Sequence, residues 1–185
     1  MMQKIAVATL LFLTAACAAS APRLAMLEAA PPTAYRLGPG DEVRINVFGL
    51  DAVTNSYVVG DAGTIALPLL PTLMANGKTV DELQLAVIEA IRSRDLVRTP
   101  SVSVQVQKYR PFFILGEVQR PGQYPYVPGM SVLAAVSVAG GYTFRANTRA
   151  VVISRAAGTT VAKGKAPPEM LVQPGDTINV LEAWF

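Results

Sequence analysis

The sequence predicts an α+β chain of two small modules in tandem, each a set of short strands with one helix. Three observations predict it. Val43, Ile45 and Val47 alternate with Glu42, Arg44 and Asn46, and Val102, Val104 and Val106 alternate with Ser103, Gln105 and Gln107, the period of half-buried strands. Between these runs Val80, Leu83, Val87 and Ile91 recur on one helical stripe, with Asp81, Gln84, Glu89 and Arg92 outside it. From Phe112 to Thr143 a second round begins: strand, Pro-Gly turn, strand, Pro-Gly break, short helix, Gly-Gly stop.

Taken in order, the chain opens with an address. Lys4 precedes the apolar run Ile5 to Leu13, which is too short to span a bilayer at about 20 apolar residues and has the length of a signal-peptide core. Leu13-Thr14-Ala15-Ala16-Cys17 resembles the bacterial lipobox, with the favoured Leu one place early. On that reading residues 1–16 are removed and Cys17 is the lipidation site. Each buried CH₂ of the acyl chains then contributes about 0.8 kcal/mol to membrane attachment. Ala18 is not Asp, which by resemblance to bacterial lipoproteins favours delivery to the outer membrane. The competing reading is an ordinary secretory leader cut nearby, such as after Ala19, with an incidental cysteine. Residues 17–34 are Ala/Pro-rich and read as a tether, the alternative being a short helix over Leu24 to Ala30.

The first module is expected over residues 35–108. Leu37-Gly38-Pro39-Gly40-Asp41 is a turn cluster before the first strand. Tyr57 to Val59 and Thr64 to Leu67, joined by Gly60-Asp61-Ala62-Gly63, read as a hairpin. Thr79, with Glu82 three residues on, predicts a capping box at the helix start.

The second module is expected over residues 109–185. Phe112 to Leu115 is a strand, Arg120-Pro121-Gly122-Gln123 a type II turn, and Tyr124 and Tyr126 a second strand. Ser131 caps a helix over Val132 to Ala139, which Gly140-Gly141 ends. That order is the front half of a small β-grasp module. Ala150 to Ser154 is a strand, Ala156 to Gly158 a turn, and Thr159 to Pro168 reads as loop. Pro174-Gly175-Asp176 repeats the punctuation of Pro39-Gly40-Asp41 and opens a strand at Ile178 and Val180. Modules of roughly 75 residues bury limited apolar surface, so packing against each other or against further copies is expected.

Composition excludes several functions. The chain has 185 residues, 51 % hydrophobic, with a formal net charge of +3 and no Lys/Arg run, which argues against nucleic acid. It has no histidine and one cysteine, so triads using His or Cys–His, thiolate metal clusters and intrachain disulfides are excluded. No cofactor is expected. Asp41, Asp61 and Asp176 are the carboxylates an enzyme acting on glycan would use, but all three sit beside glycines in turns, where Asp bonds its own backbone.

Assembled, YRLGPGDEVRINVFG, VGDAGTIALPLL, TVDELQLAVIEAI and PSVSVQVQKYR resemble the polysaccharide export domain of the outer-membrane polysaccharide export (OPX) family. FFILGEVQRPGQYPYVPGMSVLAAVSVAGGYT and VQPGDTINVLEAWF resemble the soluble-ligand-binding β-grasp (SLBB) domain that follows it there. The resemblance runs from Tyr35 to Phe185, and the lipobox fits the same family. It implies a non-catalytic, homo-oligomeric ring on the periplasmic face of the outer membrane, anchored by lipid. Such a ring passes capsular or exopolysaccharide outwards and works with an inner-membrane polysaccharide co-polymerase. The chain stops at Phe185 directly after a strand, without the carboxy-terminal helix of larger members, so a separate outer-membrane β-barrel is expected to supply the pore. The alternative is a monomeric lipoprotein that holds a soluble ligand or glycan in its β-grasp domain.

Overall fold

The computed structural model describes residues 24–27, 34–157 and 160–183. The expected α+β class is what it shows. Cys17 and the leader lie outside the described residues, as do Gly158, the last residue of the expected turn, and Thr159, the first of the expected loop.

The first unit is built on β1 (Glu42–Val47), flanked on one side by β2 (Asn55–Val58) and on the other by β5 (Val102–Lys108), both antiparallel to it. The alternation in sequence is the alternation in space. Val43, Ile45 and Val47 face inward beside Val104, and helix α1 (Val80–Ser93) presents Leu83, Val87 and Ile91 to the same cluster. Helix α1 starts where its capping box dictates. The Thr79 hydroxyl accepts from the Glu82 N–H at 3.2 Å, and the Glu82 carboxylate accepts from the Thr79 N–H at 2.9 Å. Two orphan donors of the first turn are thereby satisfied.

The expected hairpin is corrected. Its turn is present, closed by the Gly63 N–H on the Gly60 carbonyl at 2.8 Å. The flanks, however, pair elsewhere: β2 with β1, and β3 (Thr64–Ile65) with β4 (Leu73–Met74). The Gly63 carbonyl accepts from the Ala75 and Asn76 N–H groups, which draws the chain after β4 back onto the turn.

The second unit is a five-stranded sheet. Its order is β7 (Gly122–Tyr124), β6 (Phe112–Gly116), β10 (Thr177–Val180), β8 (Val151–Ala157), β9 (Thr160–Ala166). β10 runs parallel to β6, and the other pairs are antiparallel. A parallel pair needs a crossover, and here the chain makes β7, helix α2 (Val132–Val138), β8 and β9 before it returns. Phe112, Ile114, Ile153, Ile178 and Val180 bury one sheet face against Val132, Ala135 and Val136 of α2. One helix held against a sheet with a central parallel pair is the β-grasp arrangement.

Two expectations fail here. Gly122 does not turn with a positive φ; it begins β7 opposite Ile114, and the left-handed residue of this connection is Gly116. The stretch expected as loop after Thr159 is strand β9 from Thr160. Its inward positions are Ala162, Gly164 and Ala166, too small to register as an apolar alternation. The small residue at Gly164 has a reason: a Cβ there would lie 3.0 Å from the Ala25 carbonyl oxygen. Residues 25–27, expected within a tether, run alongside the outer edge of β9. The Leu27 N–H donates to the Lys165 carbonyl at 2.7 Å and the Lys165 N–H to the Ala25 carbonyl at 2.9 Å. An open edge strand leaves such groups unpaired, and this segment pairs those of Lys165.

Candidate functional site

The most organised polar site is where the two units meet, and it grows from one short sequence used twice. In Gly38-Pro39-Gly40-Asp41, proline pre-sets the first central dihedral and Gly40 takes φ +89°. The Asp41 N–H returns to the Gly38 carbonyl at 3.1 Å, and its carboxylate accepts from the Gly38 N–H at 2.8 Å. Gln173-Pro174-Gly175-Asp176 repeats this: φ +85° at Gly175, 3.1 Å for the backbone bond and 2.8 Å for the carboxylate bond.

Both aspartates are 0 % exposed, and they are the buried charged residues among those described. A carboxylate that deep requires charge and hydrogen-bond compensation. Asp176 receives a two-pronged grip from Arg155, Nε to Oδ1 at 2.9 Å and Nη2 to Oδ2 at 2.7 Å. Asp41 receives the Tyr35 hydroxyl at 2.6 Å, the Arg110 backbone N–H at 2.8 Å and the Arg110 guanidinium at 3.3 Å. Burial, and then the bond to Asp41, push the Tyr35 hydroxyl far above its ordinary range, so it stays a donor.

Arg110 lies between the two turns. Its Nε donates to the Pro174 carbonyl of the second turn at 3.1 Å. A Cβ on Gly38 would sit 1.9 Å from its Nη1, and a Cβ on Gly175 would sit 3.0 Å from its Nε. Gly38 leaves the space that the guanidinium occupies, and Gly175 is held to glycine by its φ of +85° as well. Tyr35, Tyr109 and Tyr126 extend the contact edge to face, at centroid separations of 5.0 and 5.4 Å.

Of the three candidate carboxylates, then, two converge on one joint, each held by its own turn and its own arginine. Asp61 is exposed in the Gly60–Gly63 turn, apart from both. Among the described residues no group of three or more His, Cys, Asp or Glu is placed to hold a metal. The arrangement can fix an orientation between units. Reading the sequence missed Arg110, Arg155 and Tyr35. The signal was there: two Pro-Gly-Asp turns imply two buried acids, and each needs a cation.

These features define a two-module protein, an α+β unit locked onto a β-grasp unit. The family model described as "Polysaccharide biosynthesis/export protein" matches residues 29–107, and that of the SLBB domain matches residues 111–165. The chain belongs to the outer-membrane polysaccharide export family. It is 39 % identical over 144 residues to "Exopolysaccharide production protein ExoF" of Rhizobium meliloti (strain 1021), covering 72 % of this chain and 33 % of that protein. It is 28 % identical over 186 aligned positions to "EPS I polysaccharide export outer membrane protein EpsA" of Ralstonia nicotianae, covering 82 % of this chain and 48 % of that one. EpsA of Ralstonia solanacearum is 29 % identical over 163 positions, covering 81 % and 42 %. The chain thus spans a third to about half the length of the curated relatives it matches. Among the described residues no helix is long and apolar enough to cross a membrane.

Proposed function

We propose that this chain is a subunit of a polysaccharide export conduit on the periplasmic side of the outer membrane. Identical copies close into a ring, with the first modules in a lower tier and the β-grasp modules stacked above. Capsular or exopolysaccharide passes through its hydrated centre without being cut or joined. Acylation of Cys17 holds the ring to the membrane, and an inner-membrane co-polymerase feeds it from below.

The observation that carries this reading is the joint between the family's two modules. A closed ring requires every subunit to present the same wedge, and Arg110, clamped to Asp41 and to the Pro174 carbonyl, fixes that wedge. Modules free to swing would form open chains as readily as closed ones.

The test is deletion together with a mass measurement. Cells lacking the protein are expected to lose secreted polymer, and the detergent-extracted protein is expected to migrate as a closed oligomer. Radiolabelled palmitate should enter the wild type and not Cys17→Ser. Full secretion from the deletion strain, with no related chain standing in, overturns the conduit. A monomer in every detergent points instead to the ligand-holding lipoprotein.

A further inference from the structure

Phe48 is the second residue of the turn Val47-Phe48-Gly49-Leu50, closed by the Leu50 N–H on the Val47 carbonyl at 3.2 Å. Gly49 takes φ +74°, which throws the Phe48 side chain off the corner, and the ring is 85 % exposed. A single exposed ring is ordinary on a protein surface; this one is set apart by the loop that holds it and the polar cleft beside it.

The loop that carries it is held firmly. The Thr54 hydroxyl accepts from the Val47 N–H at 2.9 Å, and the Phe48 N–H donates to the Ser101 carbonyl at 3.0 Å. Val53 plugs the loop into the core, and the Tyr57 hydroxyl donates to the Val53 carbonyl at 2.7 Å. Beside the ring opens a shallow cleft of about 370 Å³, lined by Asn46, Phe48, Asp51, Ser101 and Ser103 among others. Asn46 and Ser103 face each other across β1 and β5. The side chains of Asp51, Ser101 and Ser103 make no hydrogen bond within the described residues.

One apolar face, ringed by unspent hydroxyl and carboxylate groups and by the Asn46 amide, whose Oδ1 accepts from the Arg44 Nε at 3.3 Å, is the complement of a sugar ring. A pyranose offers a face of C–H bonds and a rim of hydroxyls. A protein partner would ask for more: its anchoring aromatics sit in a wider apolar surround, whereas the sheet face here continues into Arg44, Gln105 and Gln107. The geometry points to a saccharide subsite at the Phe48 turn. The ring stacks on one pyranose of a passing polymer, Asp51 accepts from its hydroxyls, the Asn46 Nδ2 donates to them, and Ser101 and Ser103 exchange hydrogen bonds with them. The cleft is open and the loop pre-formed, so binding is weak and quickly reversed, as a sliding chain requires. This deepens the export reading and rests on it for the source of the sugar.

Saturation-transfer difference NMR on the intact, detergent-extracted protein tests it. The probe is oligosaccharide released by mild acid from the host's own secreted polymer, at up to about 10 mM, to suit a roughly millimolar dissociation constant. Ring C–H protons are expected to receive saturation in the wild type and in Phe48→Trp. Phe48→Ala is expected to lose the signal at least about tenfold, and Ser103→Ala to weaken it. Phe144→Ala, which removes an equally exposed ring elsewhere, is expected to keep it. No signal in the wild type, an unchanged signal in Phe48→Ala, or an equal loss in Phe144→Ala overturns the subsite. A signal that depends on Phe48 in a protein whose deletion leaves secretion intact upholds the subsite and removes the export reading.

Discussion

Asp41 and Arg110 meet twice, through the Arg110 backbone N–H on Oδ1 at 2.8 Å and its guanidinium on Oδ2 at 3.3 Å. A backbone contact and a side-chain contact from one residue leave the intervening dihedrals little freedom. Arg110 also holds the Pro174 carbonyl, so a single side chain ties both Pro-Gly-Asp turns.

Asp41→Ala removes the acceptor for four donors, one of them cationic. Breaking a buried pair from one side costs about 3–5 kcal/mol. A matching fall in thermal stability is expected. Arg110→Ala is expected to do something further: calorimetry should show the single transition split into two, as the units unfold independently. A single, unshifted transition in both variants refutes the joint.

Arg155→Lys keeps the charge and loses the fork. The two parallel bonds to Asp176 become one at best, and Asp176 remains fully buried. The expected loss is about 2 kcal/mol in denaturant midpoint measurements, in the range for hydrogen bonds to charged groups. Stability equal to wild type would show that the fork is redundant.

Thr79→Ala is expected to cost about 1 kcal/mol, the usual effect of an N-cap. The same box gives a pH dependence. The Thr79 N–H, then Arg36, hold the Glu82 carboxyl below its ordinary value of 4.5. A depressed folded value means that its contribution is complete above pH 4.5 and is lost as pH falls through the lower folded value. Glu82→Gln should therefore flatten that part of the stability profile between about pH 5 and pH 3. A profile identical to wild type would exclude the box as its source.

Gly164→Val places branched carbons where the Ala25 carbonyl and the Leu27 side chain now lie. Residues 25–27 are expected to leave β9. Limited proteolysis should then cut between residues 24 and 34 several times faster, while calorimetry of the β-grasp unit moves little. Equal cleavage rates would mean that the segment tolerates the bulk.

Much of this was legible in the sequence where a residue's role is local. Val43, Ile45 and Val47 declare a strand by alternation, Thr79 and Glu82 declare a helix start, and Ser131 and Gly140 bracket the second helix. What escaped depends on distant partners. β9 hides because its inner face accommodates residues from more than a hundred positions away. Gly122 reads as a turn by local rules, and pairing with β6 overrides them. Likewise the Pro-Gly-Asp turns were visible, but nothing local says that Arg110 threads between them.

The segment beside β9 also settles where a tug from upstream is felt. Residues 25–27 run parallel to β9, so tension applied before Leu24 acts along the strand as shear and must slide paired groups past one another together. It reaches the β-grasp sheet before it reaches the first unit.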